Sequence, residues 1–182
     1  CAQPLQVLAV AGDAGVELVV VGVRRVLEMH AAGAHGLDGG EDVVRAERHD
    51  LRIEVLTKNP SAAIPLAPIL ARNGWGLGCS LSFISEAFRE VWEPGAPAIQ
   101  HRLAALVALR AAGVRTWASV EPVIDADEAL AAIATLRHVV DRVKVGKWNH
   151  DARAHAVDWP SFAEQAAALL AGHRHLFKID LL

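Results

Sequence analysis

Residues 113–146, GVRTWASVEPVIDADEALAAIATLRHVVDRVKVG, decide the fold because they spell one whole strand–helix–strand unit. Arg115–Val120 reads as a strand that ends at Glu121–Pro122. Asp125 and Glu128 then stand three residues apart, the spacing of a capping box, and open a helix that runs through Val139. Asp141–Val145 is the next strand, ending at Gly146. Two strands joined by a helix lie parallel, because a helical crossover returns the chain to the same edge of the sheet.

The same alternation extends in both directions. Upstream, Leu51–Thr57 sets Leu51, Ile53 and Val55 against Arg52 and Glu54, as a strand does, and Leu77–Phe83 is the next strand. Pro97–Ala112 is an amphipathic helix with Leu103, Leu106 and Val107 on its buried side, closed by Gly113. Downstream, Ser161 and Glu164 have capping-box spacing and predict a helix ending before Gly172, followed by a last strand, His175–Ile179. At the start, Leu5–Ala11 is a short apolar run, Val16–Ala32 turns helical in its second half, and 33–50 reads as a loop insertion rich in glycine, histidine and charge. The expectation is an α/β partial barrel of about six parallel strands, one domain spanning 1–182. A full eight-stranded barrel needs about 250 residues.

Composition bounds the function classes. With 53% hydrophobic and 21% charged residues the chain is globular, not disordered. A net charge of −3 does not favour a polyanionic partner, so nucleic acid would need a local basic patch. The longest apolar runs fall well below the roughly 20 residues of a membrane span, and no charged stretch followed by an apolar one marks a secretory signal in the residues given. Two cysteines, Cys1 and Cys79, make no disulfide framework, and a reducing cytoplasm is the expected compartment. A mature lipoprotein also begins with cysteine, but Ala2–Gln3–Pro4–Leu5 runs into an apolar stretch rather than a polar tether, so the start reads as a truncation.

Ligands of parallel α/β folds bind where strands end and loops begin, so strand ends are the residues to examine. Four carry unusual residues: Thr57–Lys58–Asn59–Pro60; Gly78–Cys79–Ser80–Leu81–Ser82–Phe83, with Glu93–Pro94–Gly95–Ala96–Pro97 and Arg102 after it; Ser119–Val120–Glu121–Pro122; and Val145–Gly146–Lys147–Trp148–Asn149. In this order they resemble the radical S-adenosylmethionine (SAM) proteins related to spore photoproduct lyase, over about Leu51 to Leu182. The ending, HLFKIDLL, is similar to that family's close, and Gly12–Asp13 with Arg24–Glu28 looks like a degraded form of the strand and helix before.

The resemblance implies a cofactor site. Lys58 would offer a cation to the SAM carboxylate, Ser80 a hydroxyl to carboxylate or ribose, and Glu121 a contact to a polar edge. The backbone at Val145–Gly146 would meet the adenine. Glu93, Arg102, Lys147 and Asn149 are candidate rim or substrate residues, with Glu93–Arg102 equally readable as a structural ion pair. Trp148 could stack on a base, and Gly39–Gly40–Glu41 mimics an amine-binding motif but has no strand before it. An intact relative would cleave SAM reductively at a [4Fe–4S] cluster, take electrons from a flavodoxin or ferredoxin, and abstract hydrogen from a substrate that is not readable here. That chemistry needs three cysteine ligands in a CxxxCxxC motif, and this chain lacks it. A cluster-free barrel that binds a nucleotide-like ligand or a protein is therefore the other expectation. The nine histidines show no metal-ligand spacing, and no metal site is assigned.

Overall fold

The computed structural model describes residues 20–21, 52–149 and 151–178. Its six strands form one sheet in chain order: β1 (Val20–Val21), β2 (Arg52–Thr57), β3 (Gly76–Ser80), β4 (Arg115–Val123), β5 (Arg142–Lys147) and β6 (His175–Phe177). From β2 to β6 every pairing is parallel, while β1 pairs antiparallel with β2. Five α-helices are described: α1 (Ala67–Arg72), α2 (Glu86–Trp92), α3 (Ile99–Ala111), α4 (Ala126–Val139) and α5 (Trp159–Leu169). The partial β/α barrel expected from the sequence is thus present with five parallel strands. The antiparallel pair at Val20–Val21 departs from an all-parallel sheet. The expected strand Leu5–Ala11 and the 33–50 loop lie outside the described residues.

Register explains how the strands divide their residues. Residues paired across parallel neighbours share a face, and successive residues alternate. Val55, Leu77, Thr116 and Val143 therefore line one face, joined by Cys79 and Ala118. Apart from Thr116, these belong to the hydrophobic core, with Leu106, Leu109, Ile133 and Leu136 from the helices. The opposite face carries Glu54, Gly76, Gly78, Trp117, Arg142 and Lys144. A Cβ on Gly78 would lie 2.2 Å from the Trp117 indole, so the large ring fits only because its neighbour has no side chain.

Two helix starts differ from their predicted form. At α4, Asp125 accepts the Glu128 N–H at 2.9 Å as expected, but Glu128 does not complete the box. Its carboxylate accepts from the backbone N–H groups of Ile84 and Ser85, at 2.9 and 3.0 Å, and so ties α4 to the start of α2. Burial opposes that charge, but these two N–H groups and the Ser85 side chain together outweigh it and hold the carboxyl below its ordinary range. At α5 the cap is Asp158, which accepts the Ser161 N–H at 3.2 Å, rather than Ser161 itself. The reason is Pro160: its fixed φ suits the first helical turn, so the helix begins ahead of it. The stretch between β2 and β3, for which the sequence predicts no helix, folds as a 3-10 turn over Pro60–Leu66 and then α1.

Two predictions test this packing. Gly78→Ala should destabilise the fold by about 1–3 kcal/mol, because the new methyl overpacks against Trp117; urea denaturation measures it. Glu128→Gln should cost about 1 kcal/mol near neutral pH. Because the folded carboxyl is depressed, its stabilisation is present above the unfolded value of about 4.3 and fades as pH falls through the lower folded one. The gap between wild type and variant should therefore close in acid.

Candidate functional site

The parallel register brings the four predicted cofactor residues to one edge of the sheet. Lys58 follows the last residue of β2, and Ser80 ends β3. Glu121 lies just past Val120, whose partner on β5 is Val145, next to Gly146. Ser80 is paired with Ser119 of β4, which places a second serine at the same edge. At β2, the buried Thr57 hydroxyl accepts the Asn59 N–H at 2.9 Å and turns the chain at Lys58.

Behind this rim lies a buried ion network. Arg102, on α3, is 0% exposed. Its Nη1 donates to Glu93 Oε2 at 2.6 Å and to the Ser80 carbonyl at 3.2 Å, and its Nε to the Pro97 carbonyl at 2.8 Å. The Arg102 Nη2 is buried without an acceptor among the described residues. Glu93 Oε1 meets Lys58 Nζ at 3.3 Å, where Lys58 is 45% exposed and Glu93 10%. Glu93 and Arg102 thus form a structural ion pair, and Lys58 is tethered to it. Cys79 sits beside this network on the core face of β3, and burial pushes its thiol up to about 12 although Arg102 pulls the other way.

The space over Gly146 is occupied. A Cβ there would lie 2.7 Å from Glu121 Cδ, so the glycine admits the Glu121 side chain. Glu121 in turn forms an ion pair with Lys178, whose backbone N–H donates to the Val145 carbonyl at 3.0 Å. A nucleobase at this strand end would meet Glu121 and the strand edge rather than a bare glycine.

Beyond β5 the chain builds an aromatic cluster. Trp148 packs edge-on against Trp92 with centroids 5.6 Å apart, and the Arg153 guanidinium stands 4.6 Å from the Trp148 centroid and 5.1 Å from that of Trp92. Asp151 holds Arg153 through two side-chain contacts at 3.0 and 2.7 Å, and that guanidinium drives the Asp151 carboxyl down to about 2. Lys147 stands 5.0 Å over Trp159, and Asn149 is exposed after the strand end. Asp13, Cys1 and Gly39–Glu41 lie outside the described residues.

Sequence reasoning named Ser119 and Lys178 only as parts of motifs, with no role given to either, and did not single out Lys144. Lys144 stands 3.5 Å over the Trp117 ring, with its ammonium lowered to about 8 by burial and by Arg142. The alternation of Arg142 and Lys144 against Val143 and Val145 already marks a polar face on β5, which was the available signal.

No protein-family profile matches the sequence, and no curated protein matches it. Solved structures do: the crystal structure of Streptococcus suis SuiB bound to S-adenosylmethionine superposes with a TM-score of 0.57 at 9% identity. The match covers 75% of this chain and 34% of that one, so this chain spans about a third of its length. The likeness is one of fold: both contain a partial β/α barrel. Among the described residues no helix is long and apolar enough to cross a membrane, and no three His, Cys, Asp or Glu side chains form a metal-binding group.

Removing the buried guanidinium tests the network. Arg102→Met should cost about 3–5 kcal/mol, since it leaves Glu93 half-compensated and takes a charged donor from the Ser80 and Pro97 carbonyls. Chemical denaturation should show it far less stable than Lys58→Ala, which removes a half-exposed ammonium.

Proposed function

We propose that the rim of Lys58, Ser80, Glu121 and Gly146 binds S-adenosylmethionine, and that the chain is the cofactor-holding part of a spore photoproduct lyase-like radical SAM protein. The observation that carries this reading is the convergence of four residues from four separate strands on one edge of a parallel sheet. The donor set fits the ligand's chemistry: a half-exposed ammonium for the carboxylate, serine hydroxyls from two neighbouring strands, and a carboxylate for ribose hydroxyls or the amine. Because Glu93 is also held by Arg102, Lys58 can share its charge with a ligand carboxylate without leaving Glu93 unpaired.

In radical SAM proteins the cofactor, bound against a [4Fe–4S] cluster, supplies radical chemistry to a substrate. The cluster does not fit the described residues. Cys79 is enclosed in the core as a neutral thiol, its Sγ within 3.4 Å of the Ser80 carbonyl, and a cluster needs thiolates. A flavodoxin or ferredoxin donor would belong to a cluster-bearing whole protein. The same burial of Cys79 favours a second reading, a cluster-free barrel that binds a nucleotide-like ligand or a protein.

Calorimetry with SAM and with adenosine tests the site. SAM should bind saturably, and Lys58→Ala should weaken it about tenfold, the equivalent of about 1.4 kcal/mol for one charge-assisted contact. Adenosine, which has no carboxylate, should bind the variant and the wild type equally. Equal SAM affinity in the two proteins would remove Lys58 from the site. Supplied with iron and sulfide without oxygen, the 182-residue chain should hold no stable [4Fe–4S] cluster; about four irons per chain with the matching broad absorbance would contradict this.

A further inference from the structure

At the edge of the sheet opposite the rim, the strand starts and the loops that feed them line an open pocket of about 410 Å³. Its wall holds five arginines against two carboxylates, in a chain whose net charge is −3. One carboxylate is committed: Asp141 pairs with Arg110 at 2.9 Å and accepts the Thr116 N–H at 2.8 Å. The other, Glu54, is shared between Arg115 at 3.6 Å and Arg142 at 3.7 Å. Arg137 and Arg174 complete the wall, with no ion pair to either among the described residues.

A second observation points to a ligand. Trp117 lines the same pocket, is 4% exposed, and its Nε1–H is buried with no acceptor among the described residues. An indole N–H only donates, so whatever satisfies it must present an acceptor. A buried donor left unmet costs about 1–3 kcal/mol; the Nε1 has no exposed surface, so an acceptor oxygen reaches it only with a small shift of the ring, and the arginines of the wall are what meet the ligand first.

We propose that this pocket is a second binding site, distinct from the SAM rim, for a small phosphorylated molecule. The volume lies within the range of about 300–1,000 Å³ typical of small-ligand pockets and is too confined for a duplex. Planar guanidinium groups engage phosphate oxygens two at a time, and this wall offers several of them beside a neutral donor. Lys144, over the Trp117 ring at 3.5 Å, adds a cation behind the indole.

Inorganic pyrophosphate is the probe, and the Trp117 indole N–H signal in the ¹⁵N spectrum of the whole chain is the readout, assigned by its loss in Trp117→Phe. The signal should shift saturably on titration. Arg137→Gln and Arg174→Gln, both solvent-accessible and safe for folding, should each weaken binding about fivefold to tenfold, while Arg137→Lys keeps most of the affinity. The other indole signals report that each variant is folded. Lys58→Ala should leave pyrophosphate affinity unchanged, which separates this site from the rim. No saturable shift at millimolar pyrophosphate, unchanged affinity in both glutamine variants, or a loss caused by Lys58→Ala would each overturn the proposal. So would a short DNA duplex that shifts the Trp117 signal where pyrophosphate does not.

Discussion

Arg102 is the residue on which the rim depends. A guanidinium at 0% exposure is tolerated only with its charge met, and Glu93 meets it at 2.6 Å. In return its donors fix the end of β3 through the Ser80 carbonyl and the approach to α3 through Pro97. Glu93 carries the constraint on to Lys58, at the end of β2. One buried cation therefore sets the relative positions of two strand ends and a loop. A hydrophobic side chain could fill the same volume, but it could not specify where three polar groups lie.

The sheet below this network has one apolar and one polar face, and each has its own rule. On the helix side, Val55, Leu77 and Val143 follow ordinary core packing. On the other side, bulk and charge alternate with absence: Gly78 makes way for Trp117, and Gly146 for Glu121. In both places the glycine's role is set by the neighbouring strand.

That dependence explains what the sequence could convey. Strands β2 to β6 were legible because their alternation or apolar runs are local, and the parallel crossovers follow from their spacing. The gathering of Lys58, Ser80, Glu121 and Gly146 at one edge followed from the same argument. Lys144 over Trp117 was not legible, because the pairing needs the register of β4 against β5. The competition at Glu128 was also invisible: a capping box is a local pattern, and the donors that took its carboxylate come from residues 84 and 85 on another segment. Lys178 as the partner of Glu121 lay 57 residues away, beyond any local signal.

The arginines at the far edge have two origins, and separating them shows why that end stays positive. Strand starts in a β/α unit face helix C-termini, where the backbone carries about half a negative charge per helix. Arg110 and Arg137 sit in the last turns of α3 and α4, and Arg110 donates to the His138 carbonyl at 3.2 Å. These two are in place to meet helix ends. Arg142 begins β5, Arg115 begins β4 and Arg174 precedes β6, so helix ends do not account for them. Two helix termini supply about one negative charge between them, less than the excess of arginines over carboxylates in the wall. The far edge therefore remains short of anionic partners within the described residues, while at the rim Glu93 and Glu121 already have theirs.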